Sequence, residues 1–204
     1  ALVLEPEVLL LDEPLSNLDA KLRRHVREEI RDLQQKIGLT AVYVTHDQEE
    51  ALAVSDRIIV MNRSVIAQQG TPRELYEQPA SSFIADFIGD ANLVSGEIVA
   101  IDGDDATVSI GGLMHSLPKR EFSPGDIQVA IRPDAVRLRQ RLDSSNGLLG
   151  NIRHATYLGN QMQYEVDCAL GSLFVVDHRV DRAIAAGSDV SIDFGDRGLA
   201  LVQA

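Results

Sequence analysis

The run from Val8 to Pro14 constrains the fold of this chain more than any other stretch. Four apolar residues precede two adjacent carboxylates, Asp12 and Glu13, and a proline follows them. A short continuous apolar run is typical of a strand that is buried on both faces of a parallel sheet. Proline has no backbone N–H and cannot extend the ladder, so we expect the strand to end there. The two carboxylates are therefore predicted at the carboxyl end of a buried strand, where open α/β sheets bind ligands.

Two neighbouring acids at such a position suit two different tasks. One carboxylate can hold Mg²⁺ through oxygen, and the next can position or deprotonate a water molecule. The alternative is a buried strand that ends in a charged turn. The seven residues alone leave both interpretations open.

A helix is predicted next, because apolar residues recur at helical spacing and polar residues suit both ends. Asp19 is a good N-cap, and Gly38 lies where the residue after a helix is expected. The apolar stripe comprises Leu18, Leu22, Val26, Ile30, Leu33 and Ile37. The opposite face is predicted to be solvated and comprises Lys21, Arg23, Arg24, Arg27, Glu28, Glu29, Arg31 and Asp32.

A second buried strand is predicted over residues 40–45, and a short helix over 48–54. Two strands that are joined by a helix form a crossover, so the strands should run parallel. His46 follows the second strand and should lie at the same sheet edge as Asp12 and Glu13. A lone histidine at a strand end is usually structural, whereas one beside paired carboxylates has a phosphate to contact.

The remaining pattern divides the chain near residue 90. Two strands around residues 62–64 are followed by a helix that Thr71 and Glu74 should cap, and by a second short helix over 81–88. From residue 92 onward the sequence consists of short alternating apolar segments that glycines interrupt, which predicts an all-β region. Many short strands in this length favour a small closed barrel or two half-barrels.

Composition limits the classes of partner and compartment. The formal net charge of −12 argues against a general nucleic-acid binder, which needs a basic face. The single cysteine, Cys168, excludes an internal disulfide and fits a reducing compartment. No apolar stretch approaches the length that crosses a bilayer. His115, His154 and His178 lack metal-ligand spacing.

Three segments together resemble ABC-transporter ATPases. Val8–Pro14 resembles the Walker B strand, Ser16-Asn17-Leu18-Asp19 the D-loop, and Thr45–Ala51 the segment of the switch histidine. The sequence from Ser55 to Pro79 is similar to the importer subgroup that serves sugars, polyamines, ferric iron and phosphonates. The resemblance implies an α/β P-loop NTPase portion over residues 1–90.

The resemblance also implies roles for individual residues. Asp12 would bind the Mg²⁺ of Mg-ATP through water, Glu13 would be the catalytic base or water-positioning group, and His46 would contact the γ-phosphate. Ser16, Asn17 and Asp19 would face a second ATPase subunit across an ATP sandwich. Catalysis of phosphoryl transfer depends mainly on the positioning of the reacting groups and on the neutralisation of charge, which such residues supply.

The sequence departs from the family in three motifs. It contains no G-x-x-x-x-G-K-[ST] loop, no glutamine loop and no Leu-Ser-Gly-Gly-Gln signature. Because the family places all three before the Walker B strand, we expect a truncated subunit that lacks upstream residues. Residues 1–4 are then predicted to be the end of a helix. The chain by itself is expected to be a poor or inactive ATPase.

Residues 91–204 resemble the OB-like β-barrel, called TOBE, that follows the ATPase in these importers. Ile131-Arg132-Pro133-Asp134 and Tyr157-Leu158-Gly159 fit its pattern. The resemblance implies a regulatory or dimer-stabilising domain. Arg132 is a candidate for an oxyanion contact, although an arginine at a strand end is more often a salt-bridge partner.

Three functions follow as hypotheses. The first is an energy-coupling ATPase subunit of an importer at the cytoplasmic face of the inner membrane. Its partners would be a second ATPase subunit, membrane permease subunits and, indirectly, a periplasmic or extracellular solute-binding protein. The second is a non-enzymatic regulatory module that binds a small oxyanion or other small ligand. The third, an ABC-type ATPase that acts on nucleic acid, is disfavoured by the acidic charge.

Overall fold

A computed structural model describes residues 6–140 and 147–203 of the chain. The chain forms two compact units that divide between Leu75 and Tyr76. The predicted helix end at residues 1–4 lies outside the described residues. The assignment of residues 1–90 and 91–204 to an ATPase portion and a TOBE domain stays a prediction. Within the described ranges, no helix is long and apolar enough to span a membrane.

The first unit contains a parallel strand pair and an antiparallel hairpin. Strands β1 and β2 pair in parallel, with Asp12 opposite Val44, and the helix α1 connects them as predicted. Strands β3 and β4 form a hairpin whose turn residues, Arg63 and Ser64, both have positive φ angles. The elements are β1 Val8–Asp12, α1 Ala20–Ile37, β2 Thr40–Val44, α2 Gln48–Val54, β3 Ile58–Asn62, β4 Val65–Gly70 and α3 Pro72–Glu77.

Both ends of α1 are capped by the predicted residues. The Asp19 carboxylate accepts hydrogen bonds from the backbone N–H groups of Lys21 and Leu22, which have no partner within the helix. Gly38 adopts a left-handed conformation with φ of 68°, and its N–H donates to the carbonyl of Gln34. A side chain other than glycine would be strained there, so this residue ends the helix.

The predicted burial of β1 and β2 is wrong for the described residues. Val8 and Leu10 on β1 are 55% and 64% exposed, and Val42 on β2 is 47% exposed. None of the 18 residues of α1 is buried either. A strand is buried on both faces only when layers pack on each side of its sheet. In the described part of this unit, the alternate residues Leu9, Leu11, Ala41 and Tyr43 are half-buried, so only one face is partly covered.

The predicted solvated face of α1 is also partly wrong. Arg31 makes a two-point contact with Asp56, with nitrogen–oxygen distances of 2.5 and 3.1 Å. Arg23 reaches Asp47 with a nitrogen–oxygen distance of 3.3 Å. Arg23 and Arg31 recur at helical spacing on a half-buried side of α1. Their ion pairs with Asp47 and Asp56 fix the position of the segment that follows β2.

The second unit is all-β apart from one described α-helix and two short 3₁₀ turns, which confirms the predicted fold class. Its strands form two five-stranded sheets, with the orders β14-β8-β5-β6-β7 and β12-β11-β10-β13-β9. The elements are α4 Ser82–Phe87, β5 Asn92–Asp102, β6 Asp105–Ile110, β7 Leu113–Pro118, β8 Gly125–Ile131, β9 Val136–Gln140, β10 Leu148–Tyr157, β11 Met162–Cys168, β12 Gly171–Asp177, β13 Asp189–Phe194 and β14 Leu199–Val202.

One hydrophobic core holds the two sheets together. Ile98 and Val129 of one sheet and Ile152 and Tyr164 of the other belong to the same buried cluster. Asn92 adds a polar link, because its side chain bonds the backbone of Ile131 in one sheet and of Phe174 in the other. The two sheets therefore share a single core.

Candidate functional site

The parallel pairing of β1 and β2 brings two predicted site residues together. Asp12 ends β1 opposite Val44, and the N–H of Glu13 donates to the Val44 carbonyl at 2.9 Å. The backbone turns sharply at Glu13, whose φ angle is +43°. His46 follows β2 at the same edge. The predicted meeting of these residues at one sheet edge is present in the structure.

Glu13 and His46 are in direct contact. The Nδ1 atom of His46 lies 3.0 Å from Oε1 of Glu13, and both side chains are exposed. An ionised carboxylate can only accept, so the shared proton belongs to Nδ1. The hydrogen bond and the charge of Glu13 raise the pKa of His46 above its ordinary value. The pair therefore favours an imidazolium beside a carboxylate.

The other predicted residues lie in the turn between β1 and α1. Ser16 donates its hydroxyl to the Glu13 carbonyl at 3.0 Å, which closes the turn behind the carboxylate. Asp19 is engaged as the N-cap of α1. Asn17 is exposed. This turn thus holds Glu13 in place, and the proposed contact of Ser16, Asn17 and Asp19 with a second subunit stays a prediction.

A small polar depression adjoins the Glu13–His46 pair. Its lining residues are Glu13, Ser16, Arg23, Thr45, His46, Asp47 and Glu50. Four of these, Arg23, Thr45, Asp47 and Glu50, are not among the site residues that the sequence predicts. Glu50 lies three residues after the helix cap Asp47, a spacing typical of a capping box, and this was the one available signal.

The donor set at this edge fits one part of a Mg-nucleotide site. In the described ranges, no group of three or more histidine, cysteine or acidic side chains is arranged to hold a metal ion alone. Protein-bound Mg²⁺ usually needs only one or two carboxylates, because phosphates and water fill its other positions. The exposed carboxylate of Asp12 meets that requirement. A glycine-rich phosphate loop is absent from the sequence.

The His46–Glu13 contact predicts a specific titration behaviour. Because the folded-state pKa of His46 is raised, the contact stabilises at pH below the ordinary imidazole value of about 6.5 and is lost as the pH rises through the raised value. We expect the His46 ring signals, followed by NMR, to titrate above the ordinary value. In Glu13→Gln the midpoint should fall, and an unchanged midpoint would mean that the contact does not form in solution.

The candidate groups of the second unit have structural roles. Arg132 is buried, and its guanidinium donates to the carbonyls of Ala85, Ile88 and Tyr76, so the predicted salt bridge is wrong. These contacts occupy the guanidinium N–H groups that would otherwise donate hydrogen bonds to an oxyanion. Burial raises the pKa of the Cys168 thiol, which opposes reactivity.

The three histidines of this unit lie in different surroundings. His115 packs near Phe194, with ring centroids 5.7 Å apart. His154 lies 3.9 Å from a Glu165 carboxylate oxygen, and His178 is exposed. No metal cluster involves them in the part of the chain that the structure covers.

Comparison with known proteins gives matches over the whole chain. The TOBE domain profile matches residues 129–202. The chain is 55% identical to the Fe(3+) ions import ATP-binding protein FbpC of Rhizobium etli over 204 residues, which are all of this chain and 57% of that protein. It is 40% identical to the spermidine/putrescine import ATP-binding protein PotA of Ruegeria pomeroyi, covering 95% of this chain and 54% of that protein. The chain thus spans little more than half the length of these relatives.

A solved structure of the cytoplasmic molybdate-binding protein ModG with molybdate bound matches at a TM-score of 0.45 and 15% identity. The match covers 55% of this chain and 96% of that one. A likeness this remote supports no inference about a ligand. The sequence identities and the profile match do confirm the predicted resemblance: the chain corresponds, along its whole length, to the C-terminal portion of ABC importer ATP-binding subunits and carries a TOBE domain.

Proposed function

We propose that this chain provides the catalytic edge of an ATP-binding subunit that drives solute import. The observation that supports this most is the 3.0 Å contact between Glu13 and His46, beside Asp12, at the carboxyl end of two parallel strands. Parallel strands of open sheets present their ligand sites at that edge. The identity to import ATP-binding proteins along the whole chain gives independent support.

The geometry suits phosphoryl transfer to water. Asp12 would hold Mg²⁺, and bound Mg-ATP would supply the phosphoryl group and part of the charge neutralisation. Glu13 would position the attacking water and accept its proton. Because Glu13 raises the pKa of His46, the imidazole carries a positive charge over a wider pH range. That charge would stabilise the negative charge on the γ-phosphate oxygens.

The proposed partners follow from the same assignment. A second ATPase subunit would contact the turn that carries Ser16, Asn17 and Asp19. Membrane permease subunits would couple hydrolysis to import, a periplasmic or extracellular solute-binding protein would deliver the solute, and the protein would lie at the cytoplasmic face of the membrane. The higher identity to the ferric-ion import protein than to the polyamine import protein favours ferric iron as the solute.

Mg-ATP calorimetry tests the proposal in two steps. The 204-residue chain is expected to show no binding tighter than about millimolar, because no glycine-rich loop cradles the phosphates. A chimera, in which this chain replaces the matching part of the R. etli protein, should bind Mg-ATP measurably. Asp12→Asn should weaken the Mg²⁺ dependence of that binding, whereas Glu13→Gln should leave the affinity nearly unchanged.

One result would overturn only the expectation of weak binding by the isolated chain, and another would contradict the proposal itself. Tight binding by the isolated chain that requires Asp12 and His46 would mean that the residues present already complete a site. A folded chimera without Mg-ATP binding would contradict the assignment of this edge to a nucleotide site.

A further inference from the structure

Glu50 is a buried carboxylate directly behind the candidate site. Glu50 is only 3% exposed, although it lies on the short helix α2, which begins shortly after the exposed His46. A charged group that loses water is costly unless hydrogen bonds and an opposite charge replace the water. The groups that contact this carboxylate therefore indicate which part of the structure it stabilises.

Three side chains satisfy the Glu50 carboxylate. The hydroxyls of Tyr43 and Thr45 donate to Oε2 at 3.1 and 2.9 Å. The Nε atom of Arg23 lies 3.7 Å from Oε1, at ion-pair distance. Burial, and secondarily the charge of Glu50, raises the pKa of Tyr43 well above its ordinary value, so the phenol remains a hydrogen-bond donor. The Glu50 carboxylate thus accepts hydrogen bonds from two hydroxyl groups and forms an ion pair with one cationic side chain.

The same contacts fix the backbone on both sides of His46. Thr45 donates to Glu50, and its hydroxyl also accepts the N–H of Asp47 at 3.0 Å. Asp47 accepts the N–H of Glu50 at 3.1 Å and is held by Arg23. His46 lies between these two anchored residues. Its own side chain is 75% exposed and touches Glu13, so little packing holds the ring itself.

We propose that Glu50 is a positioning residue, which anchors the Thr45–Asp47 segment so that the His46 ring meets Glu13. The significance for hydrolysis rests on the proposed function, but the geometric claim stands on the contacts of this chain. Glu50 has no direct contact with Glu13 or His46 among the described interactions, so it acts through Thr45 and Asp47. The competing explanation is that Glu50 affects His46 only through its negative charge.

NMR titration of the His46 ring in the 204-residue chain separates these explanations. The Glu13→Gln variant defines the fall in midpoint when the contact is lost. Glu50→Ala removes both the anchor and the charge, and should produce most of that fall. Glu50→Gln removes the charge but keeps an oxygen that accepts both hydroxyls, and should retain most of the wild-type midpoint. The ring signals of His25 on α1 serve as an internal control for intact helix structure.

A second variant keeps the test decisive if Glu50→Ala does not fold. Thr45→Val is nearly isosteric and removes only the hydroxyl that links Asp47 to Glu50, so the His46 midpoint should fall in it as well. Equal falls in Glu50→Ala and Glu50→Gln would overturn the proposal in favour of a charge effect. An unchanged midpoint in Glu50→Ala or Thr45→Val would also overturn it. None of these results depends on nucleotide binding, so they are distinguishable from failure of the proposed function.

Discussion

Replacement of Arg132 by methionine is expected to lower the free energy of unfolding of the second unit by about 2–4 kcal/mol. The guanidinium donates to the Ala85 carbonyl at 2.7 Å and to the Tyr76 carbonyl at 2.5 Å, and it also bonds Ile88. It lies 4.1 Å from the centroid of the Tyr76 ring. Methionine fills similar space but offers no donor, so these buried carbonyls lose their partner.

Burial also has an energetic cost. It lowers the pKa of Arg132, because loss of water destabilises the charged form of the guanidinium. The hydrogen bonds must offset that cost for the prediction to hold. Urea denaturation, followed through amide NMR signals of residues 76–140 and 147–203, measures the difference. Arg139→Met on β9 is the matched control, because this arginine is exposed and its loss should change the stability by less than about 0.5 kcal/mol. Equal stabilities of the two variants would contradict the assigned role.

The second large effect is expected for Asn92→Ala, at about 2–4 kcal/mol. The Asn92 amide donates to the Phe174 carbonyl at 2.8 Å, and its oxygen accepts the Phe174 N–H at 2.7 Å. It also donates to the Ile131 carbonyl at 3.3 Å. Alanine would leave backbone groups of both sheets without partners inside a site that is only 9% exposed.

Asn151→Ala is a close control for this substitution. Asn151 also donates to a backbone carbonyl, that of Gly187, and to an Asp189 oxygen, but it is exposed. Water can replace those contacts, so we expect a loss below about 1 kcal/mol. Urea denaturation, followed through amide NMR signals, measures the loss of stability in both variants. If both variants lost equal stability, burial of the Asn92 link would not be the cause.

The sequence predicted the elements whose signals are local. The caps at Asp19 and Gly38, the capping box of Thr71 and Glu74, and the crossover from β1 to β2 are all present. Each depends on residues a few positions apart or on a handedness rule that needs no tertiary detail. The meeting of Glu13 and His46 followed from that crossover.

Features that depend on distant partners could not be predicted. The strands β9 and β14 are only five and four residues long, and each pairs with a strand that is distant in the sequence, β13 and β8 respectively. The contacts of Arg132 join residues that are 44 to 56 positions apart. The burial of Glu50 requires Arg23 and Tyr43 to converge on it, which no single pattern in the sequence indicates.

The most direct test of the central claim is the rate of Mg-ATP hydrolysis by the chimera. Glu13→Gln should lower the rate by at least about 100-fold, because it removes the group that accepts the proton of the attacking water. Glu49→Gln, which neutralises an exposed acid on α2, should keep the rate of the parent chimera. A Glu13→Gln chimera that binds Mg-ATP and hydrolyses it as fast as its parent would contradict the account.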